Sequence, residues 1–143
     1  MLTAAVITVS AASSISSAPI AYGQIVEDAT AAEKVAISET DTESIVREYF
    51  KDIPVMVAVA KCESHFRHTL SDGSVLRGVV DSADTGVMQI NKRYHQTTAD
   101  KLGLNLEDIN DNMAYARYLY EKQGTQPWNA SSACWNRTLA YNN

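Results

Sequence analysis

The chain has 143 residues, 45% apolar and 20% charged, which suits one globular domain and leaves little room for a second. A domain near this size buries about two-thirds of its unfolded surface, so a real core is available. The net charge of −5, with most of the 12 basic residues set singly among acids, argues against nucleic-acid binding, which needs a basic stripe.

No charged residue precedes Glu27. Met1 to Val9 is mostly apolar, a Ser/Ala-rich stretch runs on to Gly23, and Ala21-Tyr22-Gly23 is a small-x-small exit. Residues 1–23 therefore read as an export signal, though without the basic residues that usually open one. An uncleaved anchor or a plain tail are the alternatives. The apolar run is far short of the roughly 20 residues a span needs, so no membrane span is expected in the mature form. Residues 24–40, rich in Ala, Glu and Ser, read as a linker. The folded domain is expected over 41–143.

Asp41 or Thr42 is placed to cap a helix carrying Ile45, Val46, Tyr49 and Phe50 at helical spacing. Pro54 suits the first turn of a second helix running to about Ser64. Ser71-Asp72-Gly73 signals a turn, and Val75 to Val80 has strand-forming residues around Gly78, so a small irregular β-hairpin or loop is predicted there. Asp81 to Asp84 reads as another turn. A helix from Tyr94 to Leu102 should stop at Gly103, and a stronger one from Asn110 or Asp111 should stop at Gly124. Pro127-Trp128 opens a last segment containing Cys134 and Trp135. The fold class is α+β, mostly α, with a small β excursion.

Cys62 and Cys134, 72 positions apart, are either a disulfide or two buried thiols. Export to an oxidising compartment favours the disulfide. Two Cys with one neighbouring His fit no zinc-ligand spacing, and no metal or cofactor is expected. His65, His68 and His95 read as surface or loop residues. Tyr115, Tyr118, Tyr120, Trp128 and Trp135 read as core more readily than as sugar platforms.

Glu63 is the most informative residue. It lies one helical turn beyond Val59 and two beyond Met56, on a face where a structural helix would place another apolar side chain. An acid there must be desolvated, paired or functional. Desolvation disfavours the charged carboxylate, and a Glu that keeps its proton near neutral pH is a general acid. Glycosidic bonds need one, because the leaving oxygen departs poorly until protonated. Twenty-three residues on, Gly86-Val87-Met88-Gln89-Ile90-Asn91 sets a polar Gln on an apolar segment that could face that acid.

Glu63-Ser64, then Gly86 to Asn91, then Asn112-Met113-Ala114-Tyr115-Ala116-Arg117-Tyr118-Leu119, together resemble the soluble lytic transglycosylase (SLT) domain of the lysozyme-like superfamily. Asn91-Lys92-Arg93-Tyr94-His95 is also similar to a stretch of goose-type lysozymes. The ordered set covers roughly residues 50–135. The resemblance implies a lysozyme-like fold and glycan strands of peptidoglycan as substrate, cleaved between N-acetylmuramic acid and N-acetylglucosamine. It implies Glu63 as catalytic acid/base and Ser64 as a hydroxyl orienting it. Met88 and Gln89 would line the sugar cleft, with Gln89 hydrogen-bonding the substrate. Asn91 stands where many SLT domains carry a second Met and goose-type enzymes an Asp, so it alters the cleft floor. Ala140-Tyr141-Asn142 is similar to the family's later motif whose Tyr lies near the acid, but sits beyond the Cys134-Trp135 element.

In the transglycosylase chemistry this implies, one acid suffices: the muramic C6 hydroxyl attacks C1 and gives a 1,6-anhydro product. In a muramidase water attacks, and a second acid would help; Asp81 and Asp84 are the nearby candidates, though each also reads as a turn or cap residue. A peptidoglycan-binding protein without catalysis is the third possibility.

Overall fold

The computed structural model describes residues 39–141, with side chains from 41 to 140. The stretches read as export signal (1–23) and linker (24–40) lie outside the described residues, apart from Glu39 and Thr40, which open the first helix. The side chain of Tyr141 also lies outside them.

Helix α1 (Glu39–Tyr49) turns Val46 inward, and Phe50 follows at the same spacing just past its end. Helix α2 (Pro54–Ser64) begins at Pro54, where the missing N–H is no loss, and buries Met56, Ala58, Val59 and Ala60. Arg117 fixes the corner between these helices. Its guanidinium donates twice to Asp52 (both 2.8 Å) and once to Tyr49 O (2.7 Å), and it lies over the Tyr49 ring. That fork holds the Asp52 carboxyl down to about 2.

Two successive left-handed residues, His65 (φ 54°) and Phe66 (φ 61°), end α2 abruptly. Each costs about 1–2 kcal/mol for a side chain with a Cβ. Burial of the Phe66 ring, 6% exposed, helps offset this.

The β excursion forms later in the chain than expected. Thr69 and Val75 make an isolated bridge, as do Arg77 and Thr85, while Val79 and Val80 are fully exposed. Residues 75–78 pair only through these single bridges and their flanking backbone bonds (Leu76 N to His68 O, Gly78 N to Asp84 O), which switch partners too soon to make a strand. The two-stranded antiparallel sheet joins β1 (Asp84–Thr85) to β2 (Ile90–Asn91), with Asp84 opposite Asn91. Its turn is Gly86 to Gln89, the motif itself. Gly86 has φ +71°, and a Cβ there would come within 2.8 Å of both the His68 ring and the Asn112 amide. Only glycine fits.

Helix α3 (Lys92–Lys101) starts two residues earlier than predicted because the Asn91 side chain caps it, accepting from Arg93 N at 3.1 Å. Helix α4 (Ile109–Gln123) is capped by Asp108, which accepts from Asn110 N and Asp111 N, and stops at Gly124 as expected. A 3₁₀ segment (Gln126–Ser131) leads into α5 (Ser132–Tyr141). Helix α5 packs mainly on α2 and is tied to it by the Cys62–Cys134 disulfide. Closing a loop of 72 residues contributes roughly 4 kcal/mol in the chain-entropy picture. Met56, Val59, Met88, Leu106, Met113 and Tyr115 form the centre of the core. The described residues are thus mostly helical with one very small sheet. Among the described residues, no helix is long and apolar enough to cross a membrane.

Candidate active site

Glu63, near the C-terminal end of α2, opens into a cleft of about 300 Å³. The β1–β2 hairpin supplies Asp84, Gln89 and Asn91 to this cleft, and the first turn of α3 supplies Tyr94 and His95. Trp128, from the 3₁₀ segment, completes one wall. A larger depression of about 460 Å³, bordered by Arg47, Lys51, Lys61 and Phe66, has no carboxylate in its lining and so no acid.

Glu63 is half-buried, and burial pushes its carboxyl above the ordinary 4.5. Donation from Ser131 Oγ to Glu63 Oε1, at 2.6 Å, opposes that shift. The negative charge of Asp84 adds to it. The net direction is toward a proton held at higher pH, as a general acid requires.

The expected site residues divide. Gln89 faces the cleft with Glu63 and takes a left-handed backbone (φ 48°) to do so. Its Nε2 donates to Gly86 O at 2.8 Å, which fixes the amide and leaves its carbonyl oxygen without a protein partner among the described residues. Asn91 also lines the cleft, but its amide is spent. Nδ2 donates to Asp84 Oδ1 (2.7 Å) and Asp81 Oδ2 (3.0 Å) while Oδ1 caps α3. Met88 does not line the cleft. It is fully buried, and only its backbone serves the site, its carbonyl accepting from Trp128 Nε1 at 2.9 Å. Nor does Ser64 orient the acid: its hydroxyl donates back to Ala60 O at 3.0 Å, one turn earlier in the same helix. The hydroxyl on Glu63 comes instead from Ser131.

The two aspartates separate as well. Asp81 behaves as a turn residue, accepting from Ala83 N (2.9 Å) and pairing with Arg93 (3.0 Å). These contacts, led by the Ala83 N–H, hold its carboxyl below the ordinary range. Asp84 is a second carboxylate in the cleft. His95, read as a surface or loop residue, sits in α3 and lines the cleft, with Nδ1 3.1 Å from the hydroxyl of buried Tyr115. Tyr94 presents an exposed ring at the rim, the kind of flat apolar face on which a sugar packs. Among the described residues, the only non-glycine residues with positive φ are His65 and Phe66, which follow Glu63-Ser64, and Gln89, within the Gly86–Asn91 segment. Strained backbone of this kind concentrates at functional sites.

His68 was also read as a surface or loop residue, and it is 5% exposed. Its Nδ1 accepts from Val87 N (3.2 Å), so Nε2 carries the hydrogen and donates to Glu107 O (2.9 Å). The bond from Val87 N requires the neutral ring, and burial lowers the His68 pKa below the ordinary 6.5 against the opposing pull of the Glu107 carbonyl. The unfolded chain then takes up this proton at higher pH than the folded one. The stabilisation is complete above about pH 6.5 and declines as pH falls toward the folded value. For one site the slope is at most about 1.4 kcal/mol per pH unit. Urea midpoints should fall between pH 7 and 5.5, and His68→Gln should flatten that decline. Some slope should remain from His95, whose pKa burial also lowers.

Neither a family model, nor a curated protein, nor a solved structure matches this chain.

Proposed function

We propose that the protein is a peptidoglycan-cleaving enzyme of the lytic transglycosylase type, with Glu63 as its acid and base. One observation carries this: a half-buried Glu with a raised pKa opens into a cleft beside a fixed Gln amide and an exposed aromatic rim. Protonated Glu63 donates to the bridging oxygen, and an oxocarbenium-like centre forms at C1 of muramic acid. Glu63, now a carboxylate, takes the proton of the C6 hydroxyl as that oxygen bonds to C1. The attack is intramolecular, so proximity supplies what a second nucleophile would otherwise provide. Gln89 holds an N-acetyl or hydroxyl group of the strand. The Cys62–Cys134 bridge supports an exported protein working in an oxidising compartment.

Asp84 favours a second reading, muramidase action, because it places another carboxylate in the cleft that could assist a water. The two differ in product. Digestion of purified peptidoglycan followed by mass spectrometry should give 1,6-anhydromuramic ends. Reducing ends would move the assignment to the hydrolase, and uncut strands would leave only a binding protein.

A further inference from the structure

Ser131 Oγ lies 2.6 Å from Glu63 Oε1 and 3.1 Å from Trp128 O. A serine hydroxyl has one hydrogen, and the shorter contact, to the acid, takes it. The contact is built in rather than incidental. Ser131 ends a 3₁₀ segment whose Trp128 ring N–H is anchored on Met88 O, and Trp128 O also receives Trp135 Nε1 at 3.0 Å. Cys62 precedes Glu63 directly, and Cys134 comes three residues after Ser131. The disulfide and the hydrogen bond therefore join the same two pieces of chain, 68 residues apart at the bond itself.

We infer that Ser131, held against α2 by the Cys62–Cys134 bridge, is the positioning residue of the acid, fixing Glu63 through Oε1 so that Oε2 carries the transferable proton. This rests on the function proposed above. A donor on Oε1 makes that oxygen the carbonyl-like one and leaves the titrating hydrogen on Oε2. In the donation step the Oε2–H bond breaks and the proton bonds to the bridging sugar oxygen, while Ser131 keeps its own hydrogen. Negative charge then grows on the carboxylate, and the Ser131 bond becomes charge-assisted. It is stronger in the transition state than in the ground state, the condition for accelerating the step. Ser64, its hydroxyl committed to Ala60 O, does not share this role.

The test uses the full bridged protein with Ser131→Ala and Ser131→Thr. Glu63 is titrated by carboxyl carbon NMR without substrate, and kcat and KM are measured against pH on peptidoglycan. Ser131→Ala should raise the Glu63 midpoint, because the opposing donor is gone. It should lower kcat roughly 10–100-fold with KM little changed, the size expected of one hydrogen bond to a charged group. The alkaline limb of the pH profile, where Glu63 loses its proton, should move up with the midpoint. Ser131→Thr should restore both. A midpoint that stays put or falls in Ser131→Ala overturns the inference. If the wild type cleaves nothing, the proposed function fails, yet the substrate-free titration still judges the Ser131–Glu63 bond by itself.

Discussion

Glu63→Gln is expected to lose peptidoglycan cleavage by at least about 10²–10⁴-fold and, in the same protein, to gain stability at pH 7. The two effects share one cause. Burial raises the folded pKa above 4.5, so between 4.5 and that raised value the folded state holds more protons than the unfolded one. Stability therefore falls as pH rises through that interval, and above it the whole penalty of a half-desolvated carboxylate remains. The neutral amide removes the penalty while its oxygen can still accept from Ser131. Melting curves at pH 7 should move up by a few degrees, with the gain shrinking as pH falls from that raised value and gone below about pH 4.5. Turbidity clearing of purified cell walls measures the loss. Equal clearing by both proteins would end the proposed mechanism, and lower stability in the variant would contradict the burial argument. Catalytic groups commonly hold such stability in abeyance.

Asn112→Ala is the substitution expected to damage the fold most. Asn112 is fully buried on α4. Its Oδ1 accepts from Met88 N at 3.0 Å, and Nδ2 donates to Thr85 O (3.0 Å) and Leu106 O (2.9 Å). One amide thus satisfies three backbone groups and ties the Gly86–Gln89 turn to the helix behind it. Truncation removes three hydrogen bonds from buried backbone groups, at about 1–3 kcal/mol each. A total of about 3–9 kcal/mol is a large part of the 5–15 kcal/mol typical of a domain. Urea unfolding should show that loss, with clearing activity falling because Gln89 is no longer held. Asn112→Asp should be no better, since it sets a carboxylate oxygen against two carbonyls. A loss under about 1 kcal/mol in Asn112→Ala would mean that the amide does not carry the turn.

The helices were legible where their ends carry local chemistry, Pro54 at a first turn and glycines after α3 and α4, while the caps at Asn91 and Asp108 went unread and both starts were placed late. The acid was legible for a similar reason, as a charge on an otherwise apolar face. Of the two alternatives at Val75 to Val80 the irregular loop holds, with single bridges at Val75 and Arg77, while the sheet lies later and is two residues a side. Side-chain duties within the motif were harder to read. Met88 and Ser64 point into the protein, and Asn91 serves a cap and two aspartates, none of which spacing reveals. Ser131 gave no signal at all. It reaches Glu63 across 68 residues, and a lone Ser before α5 looks like any other. Cys134, three residues on, was the nearest hint: a bridge to Cys62 necessarily brings that stretch beside Glu63.

The substrate-free titration of the Glu63 carboxyl carbon bears most directly on the chemistry proposed for this chain. A midpoint clearly above 4.5 is expected in the wild-type protein, with Ser131 and Asp84 in place. A midpoint at or below 4.5 would mean a carboxylate already ionised at neutral pH, with no proton to give a glycosidic oxygen.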